Sequence, residues 1–568
     1  MTPPDPWWKS AVVYQIYPRS FADSDGDGIG DLRGVIAHLD HLAGLGVDAL
    51  WLSPVYRSPM DDNGYDISDY EDIDPLFGTL ADFDELVASL HQRGIKLVMD
   101  LVVNHTSDEH RWFQESRDPA SPKRDWYVWR PARPGHTPGT PGAEPTNWAS
   151  FFGGSGWEFD ERSGEYYLHL FSPKQPDLNW ENPQVRRAIH SMMNRWVDRG
   201  VDGFRMDVIN LISKRYPLVD GLVEPGVDLS YQVELVTNGP RLIEFLEEMN
   251  LAVGITERQL LSVGEMILVD VVQARDYTSQ YHPRLGMVFT FEHVSLDQVP
   301  GVSKFDLRPL HLPDLKRNLA VWQDGLAEEG WNSLYWENHD QPRAVSRFGD
   351  DRPEHRVTSA KTLGTVLHLH RGTPYIYQGQ ELGLTNAGFT SIDSYVDIES
   401  RGHFEQARDA GVPEETILAG LAAKSRDNAR TPMPWSDAPH GGFTTGTPWL
   451  PLNASYPEIN ARQAVADQGS VYHHYRRLIA LRHGHEVIRT GRFELLLPED
   501  EKLWVFTRTL GDQVVLVLAN MSATAVGVPL AELPPVHGAQ LLLGTGDDES
   551  RDLQSLQPWE SRVYLLQP

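Results

Sequence analysis

Short, continuously apolar runs recur along this chain and alternate with amphipathic stretches, and this alternation constrains its fold more than any other feature. An unbroken apolar run is typical of a strand buried on both faces, as in a parallel sheet. We predict eight such strands, at Val12–Pro18, Ala49–Pro54, Lys96–Val102, Val201–Asp207, Leu260–Met266, Met287–Glu292, Asn332–Asp340 and Thr373–Glu381.

Helical patterns lie between these strands. They cover Gly34–Leu45, Leu80–Arg93, Pro183–Arg199, Gly239–Asn250, Asp314–Glu328 and Val357–His370. Eight strands with intervening helices predict an α/β fold, the (β/α)8 TIM barrel, whose active site is built from loops at the C-terminal ends of the strands. A doubly wound sheet is the alternative, but it usually carries a glycine-rich phosphate turn, which this sequence lacks.

Two regions depart from the barrel pattern. The connection between the third and fourth strands is far longer than a βα loop needs, and it is rich in aromatic residues. Near the C-terminus the pattern changes to short alternating runs, which indicate antiparallel strands. We therefore predict a barrel from residues 1–104 and 176–487, an inserted subdomain B at 105–175, and a C-terminal β-sandwich domain at 488–568.

The composition excludes several classes of function. Fifty basic and 80 acidic residues give a net charge of −30, a surface that repels nucleic acids and anionic lipid. The absence of cysteine excludes disulfides and thiolate chemistry. The N-terminus does not read as a signal peptide, and no apolar run approaches the roughly 20 residues of a membrane span. We expect a cytoplasmic monomer or weak homo-oligomer that binds neither nucleic acid nor membrane.

Three predicted strands end in an acid, at Asp207, Glu265 and Asp340. An unpaired carboxylate at a buried strand end costs several kcal/mol to desolvate, so three of them predict acids directed at a shared cleft. Cleavage of a sugar acetal needs such a set: one acid protonates the leaving oxygen, and a carboxylate faces the anomeric carbon. Arg205 lies on the same face of its strand as Asp207 and would keep that carboxylate ionised.

An acidic loop near the N-terminus suggests a cation site. Asp23, Asp25, Asp27 and Asp31 alternate with small residues, and hard cations such as Ca²⁺ prefer several oxygen ligands. The loop is not an EF-hand, because its twelfth position is Gly34. An acidic surface turn without a metal is the alternative, and Mg²⁺ is the alternative ion.

Four segments together resemble the α-amylase superfamily (glycoside hydrolase family 13). They are Asp100–His105, Gly203–Val208, Val263–Met266 and Asn338–Asp340. Further matching text resembles the oligo-1,6-glucosidase branch of that family, and it consists of Val12–Pro18, Gln175–Asn179, Trp331–Arg343 and Ser425–Met433.

The resemblance assigns roles to individual residues. It implies Asp207 as nucleophile, Glu265 as general acid/base and Asp340 as transition-state stabiliser in a retaining mechanism. It implies a structural Ca²⁺ bound by the four loop aspartates and the Ile29 carbonyl. Residues implied to bind the glucose unit are Asp62, Tyr65, His105, Phe152, Phe171, Gln175, Arg205, His339 and Arg426.

The implied activity is an exo-acting α-glucosidase that releases glucose from the non-reducing ends of short α-glucosides. Val208, beside the nucleophile, accompanies α-1,6 preference in similar enzymes, so isomaltose, isomalto-oligosaccharides, isomaltulose and trehalulose are the expected substrates. Hydrolysis of sucrose- or trehalulose-type disaccharides, and transglucosylation or isomerisation on the same scaffold, stay open, although Glu292–Gln298 lacks the Arg-Leu-Asp-Arg run of sucrose isomerases. A non-catalytic relative is disfavoured, because the acids are present.

Overall fold

The computed structural model describes residues 5–223, 228–546 and 553–566. The prediction that the N-terminus is not a signal peptide includes residues 1–4, which lie outside the described part. The chain divides into two compact units. The first unit comprises Met1–Trp51, Ala88–Lys96 and Phe291–Pro568, and the second comprises Leu52–Val87 and Leu97–Thr290.

The strands are numbered in chain order. They are β1 (Val13–Ile16), β2 (Ala49–Leu52), β3 (Tyr56–Arg57), β4 (Asp69–Ile73), β5 (Lys96–Val102), β6 (Trp129–Arg130), β7 (Trp157–Asp160), β8 (Glu165–Leu168), β9 (Gly203–Asp207), β10 (Leu261–Glu265), β11 (Met287–Phe289), β12 (Ser333–Leu334), β13 (Thr373–Tyr377), β14 (Arg492–Leu496), β15 (Leu503–Leu510), β16 (Gln513–Asn520), β17 (Val526–Gly527), β18 (Gln540–Gly544), β19 (Ser555–Leu556) and β20 (Ser561–Leu566).

The α-helices follow the same order. They are α1 (Leu32–Ala37), α2 (Leu39–Leu45), α3 (Leu80–Gln92), α4 (Arg111–Ser116), α5 (Pro183–Asp198), α6 (Leu242–Val253), α7 (Val271–Tyr277), α8 (Leu312–Gly325), α9 (Ala344–Phe348), α10 (Arg356–Leu369), α11 (Ile398–Asp409), α12 (Glu414–Lys424), α13 (Asp427–Arg430), α14 (Ala461–Ala466), α15 (Val471–Gly484) and α16 (Glu486–Thr490).

Eight parallel strands form one sheet, which confirms the predicted (β/α)8 barrel. Four belong to the first unit, in the order β2–β1–β13–β12, and four to the second, in the order β5–β9–β10–β11. Every residue of β9, β10 and β13 is buried. This is why the apolar runs are continuous rather than alternating, since helices cover the outer face of a barrel and side chains fill its interior.

The prediction of the seventh strand was wrong in its length. The run Asn332–Asp340 contains a strand only at Ser333–Leu334, so Asp340 lies in the loop that follows and not at a strand end. The side chain of Asn338 accepts the backbone N–H of Asp340 at 2.8 Å. Such a side-chain-to-backbone bond offers the chain an alternative to the sheet ladder.

The first predicted helix was also wrong in its continuity. It divides into α1 and α2 at His38, whose backbone (φ −111°, ψ 9°) is not helical. The ring Nδ1 of His38 lies 2.8 Å from the carbonyl oxygen of Gly34, four residues earlier. A side chain that bonds to this carbonyl competes with the helical ladder.

The insertion between β5 and β9 contains an antiparallel sheet in the order β6–β8–β7. Its apolar core includes Trp148, Trp157 and Tyr166, and it extends to Val208, the residue after β9. The aromatic residues of this segment therefore form a core that supports the end of the fourth barrel strand.

The C-terminal region is antiparallel, as predicted. Five strands pair in the order β14–β15–β16–β20–β18, and β17 pairs with β19. Side chains such as Val505, Leu516 and Tyr564 pack into a separate apolar core on one face of this sheet. In the described part of the chain, none of the helices is long and apolar enough to cross a bilayer.

Candidate active site

Asp207 and Glu265 lie where the sequence predicts them, as the last residues of β9 and β10 in the second unit. The two strands are neighbours, with Gly264 paired to Met206. The carboxyl groups therefore leave the sheet side by side at its C-terminal edge. Both are almost fully buried, with 7% of Asp207 and 6% of Glu265 exposed.

A single guanidinium group holds this cluster together. Arg205 Nη1 donates to Asp207 Oδ1 at 2.6 Å and to Asp100 Oδ1 at 2.9 Å, while Nη2 lies 2.6 Å from Glu265 Oε2. The strand register explains the contacts, because Asp100 on β5 and Val263 on β10 both pair with Arg205. Arg205 is only 1% exposed, so its charge acts with little screening by water.

Burial raises the proton affinity of this cluster. Burial raises the pKa of Asp207 to about 7, against the opposing effect of Arg205, and Asp100 adds to the rise. Burial likewise raises the pKa of Asp100 to about 6. One cation compensates three buried carboxylates only in part, so the group binds protons more readily than carboxyls in water do.

Val208 connects the end of β9 to Glu265. Its backbone is left-handed (φ 35°, ψ 42°), a genuine outlier for a β-branched residue. In this conformation its N–H donates to Glu265 Oε2 at 3.2 Å. The side chain is 8% exposed and packs into the core of the insertion. The strained backbone is therefore stabilised by the packing of the Val208 side chain and by the bond from its N–H to Glu265.

The other predicted sugar contacts of the second unit form one network. Tyr65 donates its hydroxyl to Asp100 Oδ2 at 3.0 Å, and Gln175 Nε2 lies 3.2 Å from both Asp62 Oδ2 and His105 Nε2. Gln175 is fully buried. Its amide is therefore engaged by Asp62 and His105, and it positions these two side chains.

His105 is neutral and engaged on both ring nitrogens. Burial lowers its pKa to about 4, Nε2 contacts the Tyr65 carbonyl at 3.1 Å, and Nδ1 lies 3.3 Å from Asn104 Nδ2. Its ring lies 5.2 Å from that of Phe171, which in turn lies 5.6 Å from Phe152. These half-buried phenyl rings offer apolar faces of the kind that stack on sugars.

In the first unit, Asp340 is bound from three directions. Its Oδ1 accepts Arg430 Nη2 at 2.7 Å and Arg426 Nη1 at 3.3 Å, and its Oδ2 lies 3.1 Å from His339 Nε2. The Gln15 amide lies 2.8 Å from the other ring nitrogen, Nδ1, of His339. With an amide donor at Nδ1, the ring carries its proton on Nε2 and donates it to Asp340.

Two residues of this group were not predicted from the sequence. Arg430 lies in the run Ser425–Met433 but received no role, and the buried Asp397 binds both Arg426 and Arg430. Burial alone would raise the pKa of Asp397, but the two arginines lower it to about 2. The spacing of Arg426 and Arg430, one helical turn apart around α13, was the signal that could have linked them.

The acidic loop brings together three of its four aspartates. One carboxylate oxygen each of Asp23, Asp25 and Asp27 lies within 4.8 Å of the others. Asp31 instead accepts the backbone N–H groups of Ser24 and Gly34, both at 2.7 Å, and caps α1.

The loop fits a hard cation. Burial and the neighbouring aspartates raise the pKa of Asp27, a repulsion that a cation would relieve. Gly28 has φ 95°, and a Cβ there would lie 1.9 Å from the Thr447 carbonyl oxygen. The wrap around the three carboxylates therefore requires glycine.

Comparison with known proteins agrees with this geometry. Residues 15–491 match the family described as alpha-amylase, catalytic domain. An oligo-1,6-glucosidase from Parageobacillus thermoglucosidasius is 53% identical over 99% of both chains. The crystal structure of trehalose-6-phosphate hydrolase from Bacillus licheniformis superposes with a TM-score of 0.92 at 45% identity, over 99% of this chain and 100% of that one.

A third relative has a different activity. The crystal structure of isomaltulose synthase from Klebsiella sp. LX3 superposes with a TM-score of 0.92 at 39% identity, over 99% of this chain and 100% of that one. Full-length matches of this kind agree with the two strand-end acids bound by one arginine. The chain belongs to the α-amylase family (glycoside hydrolase family 13) and is a glycoside hydrolase of that family.

Proposed function

We propose that this protein is a retaining, exo-acting α-glucosidase that prefers α-1,6 linkages. One observation carries the proposal: Asp207 and Glu265 each lie 2.6 Å from a nitrogen of the same guanidinium group, that of Arg205. Inverting enzymes keep their two carboxyls about 6.5–9.5 Å apart to admit a water, whereas retaining enzymes keep them about 5–5.5 Å apart. Two carboxyls on one guanidinium group suit the closer spacing of the retaining arrangement.

The proposed reaction has two steps. In the first, Glu265 donates its proton to the glycosidic oxygen while a carboxylate oxygen of Asp207 bonds to the anomeric carbon, and the leaving sugar departs as an alcohol. In the second, Glu265 takes a proton from water, the water oxygen bonds to the anomeric carbon, and the ester bond to Asp207 breaks. The proton that burial retains in the cluster is the one that the first step consumes.

The remaining residues orient the glucose unit in this proposal. Arg205 holds Asp207 as the attacking carboxylate once the proton has moved to Glu265. Asp340, held by Arg430 and Arg426, accepts hydrogen bonds from hydroxyl groups of the distorted sugar. These hydrogen bonds become stronger in the transition state. The sugar-binding set comprises Asp62, Tyr65, His105, Phe152, Phe171, Gln175, Arg205, Val208, His339 and Arg426.

The substrate itself is best tested by comparison of kcat/KM over a panel of glucosides. The panel contains isomaltose, panose, isomaltulose, trehalulose, sucrose, maltose, trehalose and trehalose 6-phosphate. We expect isomaltose and panose to lead. A preference for trehalose 6-phosphate would instead indicate the activity of a trehalose-6-phosphate hydrolase. Conversion of sucrose to isomaltulose would indicate that of an isomaltulose synthase.

Substitution of Val208 by Thr is expected to raise the ratio of maltose to isomaltose hydrolysis by about tenfold, since small changes beside the scissile bond are worth about 1–3 kcal/mol. Thr keeps the β-branch and the volume, so the left-handed backbone and its bond to Glu265 are unchanged. Val208→Ile, which stays apolar, is the matched control. An unaltered ratio in Val208→Thr would remove the argument for linkage preference.

We further propose that the loop of Asp23, Asp25 and Asp27 binds a structural Ca²⁺, with the Ile29 carbonyl and Asp31 as further ligands and Mg²⁺ as the alternative ion. Addition of millimolar Ca²⁺ after chelation is expected to raise the midpoint of thermal unfolding by a few degrees, since a ligand stabilises the state that binds it. The double substitution of Asp25 and Asp27 by Asn should abolish this increase. An equal increase in that variant would place the ion elsewhere.

Two properties complete the proposal. We expect the enzyme to act in the cytoplasm on small oligosaccharides or disaccharides, and to be a monomer or weak homo-oligomer. A chain without cysteine, which needs no oxidising compartment, supports the first expectation. Cell fractionation and light scattering over a concentration series would test the two.

A further inference from the structure

A cavity in the second unit shares no lining residue with the candidate active site. It measures about 190 Å³ and lies among β4, the start of α4 and α5. Tyr70 and Met192 contribute buried side chains, while Asp69, Glu71 and Arg111 are exposed. Pockets for drug-sized ligands begin at about 300 Å³, so this one has room for a single small ring.

His110 contributes the N–H of its ring to the cavity. The residue lines the cavity and is only 5% exposed. Its Nδ1 accepts the backbone N–H of Trp112 at 3.0 Å, which places the ring proton on Nε2. Within residues 5–223, 228–546 and 553–566, the Nε2–H has no hydrogen-bond partner. Burial, assisted by Arg111 and Lys123, lowers the pKa of His110 to about 3, so the ring stays neutral at ordinary pH.

An aromatic wall stands beside this donor. The half-buried indole of Trp112 lines the cavity, with its ring centroid 4.5 Å from that of His110 and 5.9 Å from that of Tyr70. Trp126 packs against its edge at 4.9 Å. The indole is thereby held rigid, and a rigid aromatic face costs little entropy when a ring stacks on it.

The charges around the cavity favour a neutral ligand. An anion would meet the carboxylates of Asp69 and of Glu71, the latter also paired with Arg195. A cation would meet Arg111, as well as Lys123, whose ammonium group already lies 5.8 Å from the Trp112 ring. A neutral polyol can instead donate its hydroxyl groups to the carboxylates and accept from the His110 Nε2–H.

We propose that this cavity is a second carbohydrate site, which binds one neutral pyranose ring, such as glucose or the end unit of a glucoside. The ring stacks one face on Trp112 and accepts a hydrogen bond from His110. Its hydroxyl groups donate to Asp69 and Glu71. We assign this site a binding role alone.

The test follows the indole resonance of Trp112 by NMR, in the full-length protein labelled with ¹⁵N-tryptophan. Trp112→Phe assigns the resonance by its loss. We expect this signal to shift and saturate on titration with glucose. Asp207→Asn should show the same titration, which separates this site from catalysis. Inorganic phosphate and tetramethylammonium should leave the signal unmoved.

His110→Asn provides the decisive comparison. Asn can still accept the Trp112 N–H at the start of α4, but it lacks the ring donor. We expect glucose affinity to fall about two- to tenfold, the effect of one lost hydrogen bond, with an unchanged thermal midpoint. The proposal fails if the Trp112 resonance does not saturate with glucose, if it responds equally to either ion, or if His110→Asn binds glucose as tightly as the unmodified chain.

Discussion

Replacement of Asp207 by Asn is expected to lower kcat/KM for isomaltose by at least about 10⁴-fold, as removal of a catalytic nucleophile does in other enzymes. Asn has the shape of Asp but no charge, so no covalent glucosyl ester forms. The surrounding contacts survive, because Arg205 keeps Asp100 and Glu265 as partners. Steady-state kinetics on isomaltose and p-nitrophenyl α-glucoside provide the measurement.

The same variant should be more stable than the unmodified enzyme at pH 8. The pKa of Asp207 rises from 3.8 to about 7 on folding because of burial. The folded state therefore binds the proton more tightly, and the stability that Asp207 contributes at pH below 4 is lost as the pH rises to 7. Asn does not titrate, so the variant does not lose this stability. At about 1.4 kcal/mol per pKa unit, its free energy of unfolding at pH 8 should be higher by up to a few kcal/mol.

Urea unfolding at pH 4.5 and at pH 8 measures this difference, which should grow with pH. The kinetic and stability results answer separate questions. Activity within about tenfold of the original enzyme would refute Asp207 as the nucleophile. A variant less stable than the original at pH 8 would show that the carboxylate is stabilised by Arg205 more than it is penalised by burial.

Replacement of Glu265 by Gln is expected to lower kcat/KM about 10²- to 10⁴-fold for isomaltose, which needs a protonated leaving oxygen. The loss should be much smaller for p-nitrophenyl α-glucoside, whose leaving group needs little protonation. With the first step preserved and the second deprived of its base, a burst of p-nitrophenol should precede a slow steady state. Rapid-mixing absorbance measures the burst.

An added small anion sharpens this prediction. Azide needs no base, so it should accelerate the second step in Glu265→Gln and form the α-glucosyl azide, the configuration that two inversions produce. Glu244→Gln, on the exposed surface of α6, is the matched control and should behave as the original enzyme. Equal losses on both substrates, or a β-configured azide, would contradict the assignment of Glu265 and the retaining mechanism.

The sequence predicted the barrel well because its signals are local. Continuous apolar character identifies a buried strand wherever it lies, and acids at the ends of β9 and β10 stand out against it. The predictions that were wrong depended on side chains that compete with regular structure. His38 divides the first helix and Asn338 draws Asp340 into a loop, and neither effect leaves a pattern in hydrophobicity.

The candidate site shows the same division. Residue types and their order along the chain were sufficient for the class of fold, the two strand-end acids and the family. Only the tertiary structure decided that Arg205 would bind three carboxyls at once, that Gln175 would lie behind the sugar contacts, and that Arg430 and Asp397 would hold Asp340. These contacts join residues far apart in sequence, and they depend on strand register and burial, which no local pattern encodes.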